Sequence, residues 1–78
     1  DSLAMEANGN ICVATIGECG ISVVSPAGEL VEFVATDDIF TTNIAFGGED
    51  MRDAYLTLSG SGRLVKTRWA RPGLKLQY

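Results

Sequence analysis

Seventy-eight residues with a formal net charge of −4, 46% hydrophobic and 21% charged, make one small globular unit near the size where a single core barely suffices. The acidic balance excludes a nucleic-acid surface, and no apolar run approaches the ~18 residues of a membrane-spanning helix. Residue 1 opens no basic-then-apolar signal segment, so a soluble, cytoplasmic chain is expected, and the lack of histidine leaves chemistry to carboxylates, amides, hydroxyls and backbone.

In chain order, the first strand is expected near residues 2–6, with Asn8-Gly9 suited to a tight hairpin after it. Two nearly continuous apolar runs follow, predicted as strands over 11–16 and 20–25 that are sandwiched between neighbouring sheets. Cys12 and Cys19 match neither a CxxC zinc spacing nor a dense disulfide framework, and read as reduced packing or turn residues. Pro26-Ala27-Gly28 forms a turn with glycine where a positive φ is needed, before a fourth strand over 29–35.

Asp37-Asp38 and Glu49-Asp50 read as solvated loop charges, because adjacent side chains on extended backbone diverge. Further strands are expected over 43–47, 54–59 and 62–69, and a last one over 74–78 that packs along the fold or lies outermost. The glycines of FGG, SGSG and GECG are turn residues, since no helix or Lys-Ser/Thr pair completes a phosphate loop. Arg63, Lys66, Arg68 and Arg71 around Trp69 read as an outer strand with one wet face rather than a stacking platform for nucleic acid.

The chain repeats itself. Leu3-Ala4-Met5 answers Ile44-Ala45-Phe46 at an offset of 41, Ile11 to Thr15 answers Ala54 to Leu58 at 43, and Ile21 to Val24 answers Arg63 to Lys66 at 42. A period of about 42 residues, built from short strands and Gly, Asn and Pro turns, is that of a propeller blade of four antiparallel strands. The fold class is therefore all-β, with one blade over about 1–36 and a second over about 41–78. Two blades close no ring of the usual four to eight, so either the remaining blades of the same propeller or self-association of this two-blade module must complete it.

The stretches DSLAMEANGNICVA, GISVVSPAGELV and TTNIAFGGEDMRDAYLTLSGSGRL resemble the carboxy-terminal part of the gluconolactonase, senescence-marker-protein and luciferin-regenerating-enzyme family. The resemblance runs almost end to end. It implies a six-bladed propeller with one divalent cation in its channel, calcium first and zinc, manganese or magnesium as alternatives. It also implies hydrolysis of a sugar lactone or a related small cyclic ester. In that family the Asp of a P-D-G-[LMI]-A motif is a metal ligand; Asp1-Ser2-Leu3-Ala4 matches it, which makes Asp1 the candidate ligand and a candidate general base.

Ser2 departs from the motif's glycine, which puts the local backbone in question. A carboxylate at the head of an inner strand also suits a hard cation on chemical grounds. Asn43 takes the place of Ser2 in the repeat and is a candidate substrate-binding amide; alternatively Thr41, Thr42 and Asn43 only satisfy backbone groups at the strand start. A non-catalytic binding or scaffold propeller is the competing function, because one fold hosts many activities.

Overall fold

The computed structural model describes residues 3–74. Seven strands run β1 Leu3–Met5, β2 Ile11–Thr15, β3 Gly20–Val24, β4 Leu30–Ala35, β5 Thr41–Gly47, β6 Asp53–Leu58 and β7 Arg63–Arg68, with no helix among the described residues. They form two antiparallel meanders, β1-β2-β3-β4 and β5-β6-β7. The fourth strand expected in the second sheet falls mainly on residues 75–78, outside the described residues. Gly73 instead bridges to Glu6, just past the end of β1.

Strand register repeats between the sheets. Leu3 pairs with Val13 and Ile44 with Leu56; Ala4 pairs with Cys12 and Ala45 with Tyr55. The offsets of 41 and 43 read from the sequence therefore hold for the first two strands of each sheet. The third differs by one residue, because Val13 faces Ser22 whereas Leu56 faces Val65, which makes that offset 43 and not 42. One residue matters here, since a single-residue slip exchanges the two faces of a strand. Ile21 and Val23 thus correspond to Leu64 and Lys66.

Directly opposed residues share a face, so each sheet has a front and a back. The back of the first sheet carries Ala4, Cys12, Ala14, Ile21 and Val23; the front of the second carries Ile44, Phe46, Ala54, Leu56, Leu58 and Val65. These two faces meet in one core, in which Cys12, Ile21, Val23 and Ala54 are fully buried. Small Ala and Cys side chains on one face leave room for Ile and Leu on the other, which lets the sheets approach closely. The first sheet's front has no cover: Leu3 is 63% exposed and Phe33 41%. The two apolar runs are therefore packed on one face only, not sandwiched between two sheets.

Turn chemistry follows the sequence. Gly28 takes φ +91° and donates its N–H to the Ser25 carbonyl, and Asn8 Oδ1 accepts from the Asn10 N–H beside Gly9 at φ +96°. Both cysteines are free; Cys19 occupies a left-handed turn position and Cys12 the core. At Gly20 a Cβ would overlap the Phe33 ring and come within 2.5 Å of the Val34 carbonyl oxygen. The ring can swing away but the carbonyl belongs to the β3–β4 ladder. Gly20→Ala should cost about 1–3 kcal/mol through this overpacking, read as a lower urea midpoint with unchanged slope.

Candidate functional site

The inner strands β1 and β5 begin at the same end of the two sheets, where the 16–19 turn, the 36–40 crossover and the 59–62 turn also gather. Asp1 and Ser2 lie outside the described residues; Leu3, two positions on, starts β1. Asn43 sits exposed on β5 opposite Thr57, next to a bulge between Thr41 and Asn43. The bulge adds a residue to the strand start and re-aims the side chains that follow it.

Two of the hydroxyls there have internal partners. Thr41 is fully buried and donates to the Asp38 carbonyl at 2.8 Å, while Thr36 and Thr41 share a hydroxyl pair at 2.7 Å. Thr42 Oγ1 lies 2.8 Å from Ser59 Oγ. Thr41 thus satisfies a backbone carbonyl at the strand start, Thr42 pairs with a side-chain hydroxyl, and Asn43 lies on the exposed back face of β5.

Asp38 is not a solvated loop charge. Only 4% exposed, it receives the Phe40, Gly60 and Ser61 N–H groups and the Ser61 hydroxyl. The Ser61 hydroxyl first, then these backbone donors, outweigh burial and hold its carboxyl below the usual aspartate range. Its neighbour Asp37 does face solvent and pairs with Arg63. Asp50 is also engaged: the Arg68 guanidinium, 2.6 Å away, draws its pKa down to about 2.

The opposite end of the sheets holds a polar cluster that sequence reasoning missed. Glu6, with a fully buried side chain, accepts from Trp69 Nε1–H at 2.7 Å, Arg71 Nε–H at 2.6 Å, Asn10 Nδ2–H at 3.0 Å and the Cys12 thiol at 3.6 Å. Arg71 reaches on to Glu32 at 2.5 Å. Burial raises the Glu6 pKa, yet the donors from Arg71, Trp69 and Asn10 together leave it below the ordinary glutamate value. Burial, with the adjacent Glu6 charge, pushes the Cys12 thiol up to about 12, which makes it an unreactive packing residue.

The outer strand with one wet face is β7, where Leu64, Lys66 and Arg68 are exposed while Val65 and Thr67 are half-buried. β7 ends at Arg68, and Trp69 turns into the core, 5% exposed, edge-on to Phe46 at 5.8 Å between ring centres. Every acceptor site of Glu6 is turned to internal donors, so this cluster joins the sheets and offers no open face to a ligand. The missed signal was a lone Glu at the end of the LAM strand with Trp and Arg late in the chain, residues brought together only by the tertiary fold.

Between β1 and β5 lies a cavity of about 370 Å³, lined by Leu3, Met5, Phe46, Met51 and Leu74 among others. Its wall is apolar, whereas Asn43 lies exposed toward the starting end of β5. No group of three or more His, Cys, Asp or Glu side chains is placed to hold a metal among the described residues. Nor is any helix among the described residues long and apolar enough to cross a membrane.

A search of curated proteins gives no match. A family model described as SMP-30/Gluconolactonase/LRE-like region matches residues 1–60, which takes in β1 to β6 and the Asp1-Ser2-Leu3-Ala4 motif. That span, most of the chain, together with two sheets of equivalent register stacked front to back, shows that the chain belongs to the SMP-30/gluconolactonase/LRE-like family and forms two consecutive blades of a β-propeller.

Proposed function

We propose that this chain supplies two blades, from the carboxy-terminal portion, to a metal-dependent lactone hydrolase with six blades. The observation that carries this reading is the family match, which includes the acidic motif at the head of β1. Asp1 would bind a divalent cation, calcium first and zinc, manganese or magnesium as alternatives, through carboxylate oxygens of the type hard cations require. Such an ion supplies Lewis acidity toward a lactone carbonyl. The remaining donors belong to blades beyond this chain.

Asn43, exposed near the same end, would bond a hydroxyl or ring oxygen of a sugar lactone or a related small cyclic ester. The apolar cavity along β1 and β5 offers no second polar anchor, so a polyhydroxylated substrate would be held at the strand starts rather than deep between these blades.

Calorimetric titration of calcium into the complete propeller tests the metal reading. Asp1→Asn should weaken calcium binding at least roughly tenfold and reduce lactone hydrolysis in parallel, because an amide holds a hard cation less strongly than a carboxylate. Asn43→Ala should raise KM with little change in kcat, as expected for a group that binds ground state and transition state alike. Unchanged calcium affinity in Asp1→Asn would remove Asp1 from the site.

A further inference from the structure

After β7 the chain turns back toward the inner strands. Trp69 N–H donates to the Arg52 carbonyl and Gly73 N–H to the Met51 carbonyl, both at 2.7 Å, which carries residues 69–74 past the 48–52 turn to β1, the edge strand of the first sheet. There Ala7 N–H donates to the Pro72 carbonyl at 2.9 Å and Leu74 N–H to the Met5 carbonyl at 2.8 Å, an antiparallel pairing centred on Glu6 and Gly73. Position 73 has room only for glycine, because a Cβ there would overlap the Phe46 ring. At Leu74 the chain therefore runs antiparallel to β1, toward the strand-start end.

Glu6 N–H points toward β2, where it meets the Asn10 carbonyl, so by alternation Met5 and Leu3 turn their N–H and C=O groups to the edge that Leu74 has reached. Continuing the Glu6–Gly73 register sets Lys75 against Ala4, Leu76 against Leu3, Gln77 against Ser2 and Tyr78 against Asp1. The side chains suit that register. Leu74, Leu76 and Tyr78 alternate with Lys75 and Gln77, which puts Leu76 beside Leu74 on the face of Met5 and Leu3. Leu3, Met5 and Leu74 already line the apolar cavity between β1 and β5, and Leu76 extends their row. The outer edge of β7 is out of reach: crossing β5, β6 and β7 takes about 14 Å, the full extended length of roughly four residues.

We propose that the inner edge of β1 is a docking site for residues 75–78 of this chain, which add to it as an antiparallel strand. In a propeller this edge borders the central channel, so the chain covers part of its own channel wall and closes the apolar cavity to a ligand. Gln77 and Tyr78 come level with Ser2 and Asp1. The inference rests on backbone register and side-chain alternation and is independent of the lactonase reading.

The test is nuclear Overhauser spectroscopy with amide hydrogen exchange on the 78-residue chain, beside Leu76→Pro and Gln77→Pro. The Glu6–Gly73 pairing makes Ala4–Lys75 and Ser2–Gln77 the pairs whose α-protons approach most closely, so each should give a strong contact. Proline at 76 removes an N–H that faces the Leu3 carbonyl, whereas proline at 77 removes one that faces away. Leu76→Pro should therefore abolish the Ala4–Lys75 contact and speed exchange of the Leu3 amide at least roughly tenfold, and Gln77→Pro should leave both as in the wild type. Fluorescence of buried Trp69 checks that each variant folds, and the wild-type contacts decide the question if neither does. A Glu6–Gly73 contact without one between Ala4 and Lys75, contacts of Leu76 with β7, or equal effects of the two prolines would overturn the proposal.

Discussion

Replacing Glu6 by leucine is expected to unfold the chain. The substitution leaves the Trp69 N–H and the Asn10 amide without their acceptor, and strips Arg71 of the buried carboxylate it pairs with. Breaking a buried ion pair from one side costs about 3–5 kcal/mol. A chain of this size draws only about 3–5 kcal/mol from its core, so the loss removes most or all of its stability. Arg71 retains Glu32 and is partly exposed, which places the effect toward the lower end.

The same carboxylate predicts the acid limb of the wild type. Glu6, Asp38 and Asp50 all have folded-state pKa values below their ordinary ones of 4.5, 3.8 and 3.8. The unfolded chain therefore binds protons first as pH falls, and the stabilisation is present above those ordinary values and lost below them. Urea midpoints should be flat from neutrality to about pH 5 and fall steeply below about pH 4. A midpoint that rises on acidification would contradict the assignment.

Trp69→Ala is expected to have a comparable effect by a different route. It empties a core position packed edge-on against Phe46 and removes one donor from Glu6. Large-to-small changes of this kind cost about 3–5 kcal/mol. Trp69→Phe keeps most of the ring and loses only the N–H, so its cost should be about 1–3 kcal/mol. Because both residues act through one network, Trp69→Phe should cost less when Glu6 is already glutamine than in the wild type. Equal costs in the two backgrounds, measured by urea denaturation, would show that the carboxylate's charge adds nothing to the 2.7 Å bond.

What the sequence disclosed and what it withheld divide along a physical line. Blades, turns and most strand limits are local: apolar runs broken by Asn8-Gly9 and Pro26-Ala27-Gly28 announce themselves within a few residues. The one-residue error in aligning β3 with β7 arose because Val65 and Lys66 admit either register by composition, and only pairing with Leu56 decides between them. Glu6, Asp38 and Trp69 were misread or missed for a stronger reason. Their roles depend on partners at 61 and 71, or on a carboxylate at the other end of the chain, contacts that no local window contains.

At the candidate site the legible part is the motif itself. Asp1 and Asn43 were read from family resemblance and repeat position, and the fold places Asn43 on the exposed back of β5, beside the start of the strand. The Thr41 and Thr42 bonds could not be assigned to particular partners in advance, because they reach Asp38 and Ser59 across turns.

Nuclear Overhauser spectroscopy of the chain tests most directly the claim that it is two equivalent sheets stacked front to back. Cross-strand contacts should link Val13 with Ser22 and Leu56 with Val65, and methyl contacts should join Ile44 and Leu56 to the Cys12, Ala14, Ile21 and Val23 face. Contacts of Leu56 with Leu64 in place of Val65, or intact sheets with no methyl contacts between them, would contradict the account.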